Sequence, residues 1–290
     1  MRSIDAQLVS DLIGEQFPQW RSMTATAVPA QGWDNRTFRL GDELSVRLPS
    51  GPAYVAAIDK EQSVLPFLAA QLPLPVPKPV GLGRPGCGYP FPWSVRNWLP
   101  GDTLAATTDL DRVILAEDVG RILAALRSLP TAIGPAAGRH SHFRGCRPGV
   151  YADQVDTALH HVADEVDGRL CRRIWQAATA SAWPGAPVWF HGDVAAGNLL
   201  VQNGRLSAVI DFGTCGIGDP ACDLVLAWTY FVGAERQAFR HAVGLADDAW
   251  HRARGWALWK ALATLAGLSS PDPDDQQRHV LREVLADPVV

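Results

Sequence analysis

Apolar residues recur every three or four positions over Ile4–Phe17, at Ile4, Leu8, Leu12 and Ile13, which predicts a helix. The rhythm then shortens. Thr24–Val28, Thr37–Leu40 and Leu44–Leu48 read as short strands, separated by turns at Gln31-Gly32 and Gly41-Asp42. Helical spacing returns over Tyr54–Leu72, with Ile58, Val64, Leu65 and Leu68 on one side. The tract Leu72-Pro-Leu-Pro-Val-Pro-Lys-Pro79 excludes helix and predicts an extended connector. Strand signals resume at Pro79–Leu82 and Trp93–Leu99.

Beyond Leu99-Pro100-Gly101 the texture changes. Asp111–Leu129, Val150–Ala182, Asp219–Phe231, Ala234–Val243, Asp247–Leu268 and Asp274–Leu285 all carry helical spacing, interrupted by a β-like stretch at Val188–Ile210. Strands first and helices later predict an α+β protein of two lobes. Residues 1–100 would form a small β-rich lobe with one main helix, and residues 101–290 a larger, mostly helical lobe.

Composition narrows the class. A chain of 290 residues with 47% apolar and 19% charged residues can bury a core and is neither fibrous nor broadly disordered. The longest candidate membrane stretch, Trp256–Leu268, carries Lys260 and is too short to span a bilayer. The start, Met1-Arg2-Ser3-Ile4-Asp5, reaches an acid before any apolar run, so no secretory leader is expected and a cytoplasmic location is. Five cysteines without a C-x-x-C pair predict reduced thiols rather than a zinc site or disulfide framework. Arginine outnumbers lysine 23 to 3, but no dense basic run marks a nucleic-acid surface. Charge is uneven, net +1 before residue 101 and −5 after it. Such a split suits an anionic cofactor and a cationic substrate, or simply solvated faces.

Several motifs are absent or misleading. No lysine follows a glycine, so there is no Walker P-loop, and neither G-x-S-x-G nor H-E-x-x-H occurs. Gly81-Leu-Gly83-Arg-Pro-Gly86 matches G-x-G-x-x-G, but Pro85 and the following Cys87-Gly88-Tyr89-Pro90 predict turns where a dinucleotide site needs a helix.

The chemistry concentrates in Val188-Trp-Phe-His-Gly-Asp-Val-Ala-Ala-Gly-Asn-Leu-Leu-Val201 and Val209-Ile-Asp-Phe-Gly213. A strand delivers His191-Gly192-Asp193, Asn198 follows, and a hairpin turning at Asn203-Gly204 leads to Asp211. Asp193, Asn198 and Asp211 form a hard-oxygen set suited to Mg²⁺, an ion that takes few protein ligands and completes its shell with water and phosphate. Phosphoryl transfer also needs a carboxylate to orient the acceptor hydroxyl and take its proton. Asp193 suits that task, leaving Asn198 and Asp211 for metal. Singly, each residue could equally cap a turn or sit in a loop.

Together these residues carry a resemblance. His191-Gly-Asp193-x-x-x-x-Asn198 resembles the catalytic loop of protein kinases with glycine in place of the usual arginine. Ile210-Asp-Phe-Gly213 resembles their metal-binding D-F-G element, and Gly218-Asp-Pro-Ala-Cys-Asp-Leu224 completes what looks like the signature of the aminoglycoside phosphotransferase family. The resemblance implies a bilobal protein-kinase-like fold that binds ATP or GTP with Mg²⁺. It implies Asp193 as catalytic base, Asn198 and Asp211 as metal ligands, and His191, Asp219 and Asp223 as supporting residues, Asp223 bracing the loop through backbone N–H groups. Gly192, and the lack of an A-P-E element, imply a small-molecule enzyme without a phosphorylation switch.

The same resemblance assigns the first lobe. Where kinase-like folds carry a strand lysine held by a helix glutamate, this chain offers Arg47 and Glu61, with a surface ion pair as the alternative reading. Gln31–Phe38 takes the place of the phosphate-covering turn, and the backbone of Arg96, Asn97 and Trp98 would hydrogen-bond the nucleobase. The favoured acceptor is an aminoglycoside, making the chain a resistance enzyme, with Asp153, Asp156, Asp272 and Asp274 as candidate contacts to a polycation. Macrolide, peptide antibiotic, homoserine, choline or sugar kinases remain alternatives, as does a catalytically silent nucleotide binder. Neither nucleic acid nor membrane is an expected partner.

Overall fold

The computed structural model describes residues 2–29, 31–269 and 275–288, and the chain divides into two compact units. The first comprises Met1–Gly101 and Ser207–Gly213, the second Asp102–Leu206 and Thr214–Val290. Ser207–Gly213, which contains Asp211, therefore belongs with the first unit although it lies well past residue 100 in sequence.

The first unit holds helix α1 (Ala6–Gln16), strands β1 (Ala25–Ala27), β2 (Asn35–Leu40) and β3 (Leu44–Pro49), helix α2 (Ala56–Gln71), and strands β4 (Pro79–Gly83) and β5 (Trp93–Asn97). The strands form an antiparallel sheet in the order β1-β2-β3-β5-β4. Asp5 caps α1, its carboxylate accepting the Leu8 N–H at 2.8 Å. The apolar stripe Leu8, Val9, Leu12 and Ile13 then packs with Val46 and Leu48 of β3 and Trp93 and Val95 of β5. Because strand side chains alternate, Arg47 of β3 and Ser94 and Arg96 of β5 are turned to the opposite face, where Glu61 of α2 lies buried with them. One face of the sheet is thus an apolar core and the other a buried polar cluster.

The glycines of the G-x-G-x-x-G match serve packing. A Cβ on Gly83 would lie 2.0 Å from the Trp93 ring, and one on Gly81 would lie 2.9 Å from Phe17. A turn follows, with Gly86 and Tyr89 exchanging backbone hydrogen bonds, and no helix begins there.

The second unit contains β6 (Asp102–Thr103), α3 (Arg112–Arg127), α4 (Ala152–His161), α5 (Gly168–Thr179), β7 (Val188–Phe190) and β8 (Leu199–Gln202). Asn203 and Gly204, both at positive φ, turn β8 into β9 (Arg205–Val209), along which the chain passes to its first-unit segment. After that come β10 (Gly216–Gly218), α6 (Leu226–Thr229), α7 (Gly233–Val243), α8 (Asp247–Leu265) and α9 (Gln276–Ala286). β7 and β10 pair antiparallel, as do β6 and β8. Helix α8 is buried almost all round and packs against α4, α5 and α9.

Two sequence expectations change. The helix read over Val150–Ala182 is two helices, α4 and α5; Asp167 accepts the Leu170 N–H at 2.9 Å and starts α5 afresh. Asp219–Phe231 is chiefly a 3₁₀ turn, Pro220–Val225, followed by one α-turn. The five cysteines are free thiols. No helix among the described residues is long and apolar enough to cross a membrane.

Candidate active site

Strand β7 ends at Phe190, and the loop that follows is held from behind. The Asp223 carboxylate accepts the backbone N–H groups of His191 and Gly192, each at 2.7 Å. Burial pushes its carboxyl pKa up, against the opposing pull of His191 and of those two donors. Gly192 lies at φ +86, and a Cβ there would stand 2.9 Å from the Thr214 carbonyl oxygen. Glycine is required by this backbone, which is a local reason for its presence where kinase loops carry arginine. Thr214 in turn donates its hydroxyl to the His191 carbonyl at 3.0 Å. The buried His191 ring accepts the Asp193 N–H at Nδ1, 3.2 Å away.

This bracing presents Asp193 at the surface. Asn198 joins it, its amide Nδ2 donating to the Asp193 carbonyl and to Oδ2, both at 2.9 Å. That arrangement leaves the Asn198 amide oxygen as an acceptor, while Asp193 Oδ1 makes no hydrogen bond to any described residue. Asp193 stands at one wall of a cavity of about 490 Å³ whose other walls include Arg144, Tyr230, Trp256, Trp259 and Lys260.

Asp219 is a packing residue. Its Oδ2 receives Arg252 Nε at 2.6 Å, both side chains being buried, and its Oδ1 caps the 3₁₀ turn through the Ala221 N–H at 3.0 Å. Arg252 was not singled out by sequence; a charged residue inside the all-apolar face pattern of α8 was the available signal.

In the first unit, Glu61 receives Arg96 in a bidentate grip, with Nη1 at 2.9 Å from Oε1 and Nη2 at 2.8 Å from Oε2. Arg47 reaches the same carboxylate only at 3.4 Å and places its other nitrogen 2.9 Å from Asp211 Oδ1. Burial raises the carboxyl pKa of Glu61, but Arg96 and Arg47 outweigh it and hold the group below its ordinary value. Burial alone would lower the Arg47 guanidinium, and the charges of Asp211 and Glu61 reverse that shift upward. The cluster is buried, so Arg47 and Glu61 are not a surface pair.

Two backbone donors of residues 96–98 are engaged within the chain. The N–H of Asn97 donates to the Lys78 carbonyl at 3.0 Å and that of Trp98 to the Glu43 carbonyl at 2.6 Å. The Arg96 side chain, missed by sequence as a partner of Glu61, is buried against it. Alternation of Trp93 and Val95 with Ser94 and Arg96 was the sequence signal for it. Asp153 and Asp156 are exposed on α4 and are not among the described residues lining the cavity. On that helix it is Gln154 that turns inward, accepting the Trp259 indole N–H at 2.6 Å. Asp272 and Asp274 lie outside the described residues. The Gln31–Phe38 turn is closed by side chains: Gln31 bridges Val28 and Thr37, and Arg36 donates to the Gly32 carbonyl at 2.6 Å.

The sequence profile of the Phosphotransferase enzyme family matches residues 26–256. The chain belongs to that family. Among solved structures it is similar to a point mutant of aminoglycoside 2'-phosphotransferase-IIIa in complex with GDP, at 20% identity and TM-score 0.74 over 97% of both chains. A GDP and kanamycin complex of the same class of enzyme matches at 18% identity and TM-score 0.70, over 95% of this chain and 97% of that one. The macrolide 2'-phosphotransferase of Brachybacterium faecium matches at 21% identity and TM-score 0.63, over 97% and 98%. At these identities the structures establish a shared fold. No curated protein matches the sequence. The chain is therefore a phosphotransferase with the α+β, kinase-like architecture that its motifs imply.

Proposed function

We infer that this phosphotransferase moves the γ-phosphoryl group of ATP or GTP to a hydroxyl of a small molecule. The observation that carries the reading is Asp193, exposed at a cavity wall, oriented by Asn198 and mounted on a loop braced by Asp223. In the reaction a lone pair of the acceptor oxygen forms the new bond to the γ-phosphorus. The bond from that phosphorus to the β–γ bridging oxygen breaks, and the nucleoside diphosphate leaves with the electron pair. The hydroxyl proton passes to the Asp193 carboxylate. Asn198 keeps one carboxylate oxygen engaged and so fixes which oxygen faces the acceptor.

The donor chemistry fits Mg²⁺. The amide oxygen of Asn198 and the Asp211 carboxylate are hard oxygen ligands of the kind that ion prefers, and we assign them to it. Bound there, the ion would neutralise phosphate charge. Arg47 is assigned to the phosphates, as a permanently charged fork in place of a strand lysine. Nucleoside triphosphate supply makes the cytoplasm the expected location.

Kanamycin and macrolides define the first acceptors to try, and turnover of either would make this a resistance enzyme. The decisive experiment is Asp193→Asn. Nucleotide affinity should stay within a few-fold while turnover falls by roughly 10²–10⁴. Near wild-type turnover would remove Asp193 from the role of base.

A further inference from the structure

Glu61 of α2 serves two arginines unequally. Arg96 meets both of its oxygens, at 2.9 and 2.8 Å, and sends Nε to the Ser94 hydroxyl at 3.1 Å, so all three of its nitrogens are engaged out of reach of solvent. Arg47 approaches the same carboxylate through Nη1 at 3.4 Å, too long for a strong charge-assisted bond, and directs Nη2 to Asp211 Oδ1 at 2.9 Å. The Arg47 Nε is buried and meets no acceptor among the described residues. A buried donor left unmatched is costly, so an oxygen supplied by a ligand is favoured there. Arg96 and Arg47 are the two cations paired with Glu61 among the described residues. Without Arg96, the buried carboxylate would have Arg47 alone to neutralise it.

We propose that Arg96 is a positioning residue for the phosphate end of the nucleotide, acting through Arg47. By saturating Glu61 it keeps that carboxylate from drawing Arg47 toward α2, and so leaves Arg47 to Asp211 and to the phosphates. The inference rests on the assignment of Arg47 to the phosphates made above. The strand register builds the arrangement: Arg47 pairs with Ser94 and Ser45 with Arg96, which sets the two arginines diagonally on one face of the sheet. A strand lysine held by one glutamate needs no such device, because an ammonium is a point charge. An arginine in its place carries a planar fork that matches a carboxylate bidentately, and in that grip it would be withdrawn from the phosphates. A second arginine already holding both oxygens of Glu61 prevents this.

The test compares affinities for ATP and AMP, and for GTP and GMP, by titration calorimetry in chelator, so that neither metal nor turnover enters. Loosening of the first unit lowers both affinities of a pair, whereas the ratio of triphosphate to monophosphate affinity isolates the phosphate end. Arg96→Met should lower that ratio about tenfold, the scale of one charge-assisted hydrogen bond. Arg96→Lys keeps the charge but grips one oxygen in place of two. It should lower the ratio in the same sense by a smaller factor, which a change of net charge would not do, and it decides the matter if Arg96→Met does not fold. Adding Glu61→Gln to Arg96→Met removes the pull on Arg47 and should restore the ratio. In an Arg47→Gln background, Arg96→Met should have no further effect on it. An unchanged ratio in the Arg96 variants, no recovery on adding Glu61→Gln, or losses from Arg47→Gln and Arg96→Met that simply add would each overturn the proposal. Any of these, seen while Arg47→Gln alone lowers the ratio, leaves the assignment of Arg47 standing. A ratio that Arg47→Gln leaves unchanged removes Arg47 from the phosphates and overturns this inference with it.

Discussion

Arg96 holds Glu61 through two nearly equal hydrogen bonds, at 2.9 and 2.8 Å, with both side chains sealed from solvent. Arg47 is left with only a 3.4 Å contact to that glutamate and a 2.9 Å bond to Asp211. The β3/β5 register explains how. Ser45 pairs with Arg96 and Arg47 with Ser94, so the two arginines stand diagonally on one face, and the small serines between them leave room for the α2 carboxylate. Arg47, Arg96 and Glu61 are buried together, and Asp211, about one-third exposed, pairs with Arg47 at the edge of the group.

Removing one member should therefore be costly. Arg96→Met strands the Glu61 carboxylate with only the long Arg47 contact, and breaking a buried pair from one side destabilises by about 3–5 kcal/mol. Adding Glu61→Gln removes the stranded charge, so the double variant should recover part of that loss. Urea melts of the two single variants and the double variant measure the coupling. Strict additivity would mean that the pair contributes nothing as a pair.

Acid should act through the same carboxylate. The folded-state pKa of Glu61 lies below its ordinary value of 4.5, so over that window the unfolded chain binds more protons than the folded one. Stability from Glu61 is present above the unfolded value and is lost as pH falls through the folded one. Glu61→Gln lacks this contribution. Its deficit in Tm relative to wild type should be largest near about pH 7 and should narrow below about pH 4. A deficit that stays constant across calorimetric scans in that range would show that Glu61 is not ionised in the folded chain.

Much of this arrangement could be read from residue order, and the limits have physical causes. Strand periodicity located β3 and β5, and motif spacing located Asp193, Asn198, Asp211 and Asp223. The placement of the Arg96 side chain is legible in the Trp93/Val95 alternation, which turns Ser94 and Arg96 away from the apolar core, but its pairing with Glu61 of α2 depends on how helix and sheet pack. The break between α4 and α5 was hidden because helical spacing runs through it; only the capping of Leu170 by Asp167 divides it. The inward turn of Gln154, rather than of Asp153 or Asp156, depends on which face of α4 meets α8, and charge counting along the chain carries no such information. The same holds for Arg144, which is distant in sequence from Trp256 and Trp259 and meets them only through the fold.

Gly192 offers a test of the loop rather than of the chemistry. Gly192→Ala sets a Cβ at positive φ against the Thr214 carbonyl, and strain of this kind costs on the order of 1–3 kcal/mol. The chain can relieve it by shifting Thr214, which would disturb the His191 carbonyl that Thr214 holds. Turnover should fall while nucleotide affinity is retained, and Tm should drop by a few degrees, about 2–4 °C per kcal/mol for a chain of this size. An unchanged Tm with unchanged turnover would show that the loop accommodates a side chain freely.

The last prediction separates metal from phosphate at Asp211. Its Oδ1 is bonded to Arg47, and the proposed metal role needs that carboxylate as a ligand. Asp211→Ala should weaken Mg²⁺-nucleotide binding far more than binding of the metal-free nucleotide, because the lost oxygens contact the ion. It also leaves Arg47 with a weaker counter-charge, which favours a bare triphosphate and should partly offset any loss there. Arg47→Gln should do the reverse: metal-free nucleotide binding falls, because the cation assigned to the phosphates is gone, while Asp211 loses a competitor for the ion. Calorimetric titrations of both variants, with Mg²⁺ and with chelator, give four affinities that must cross in this sense. Parallel losses in all four would assign Arg47 and Asp211 to folding of the first unit instead.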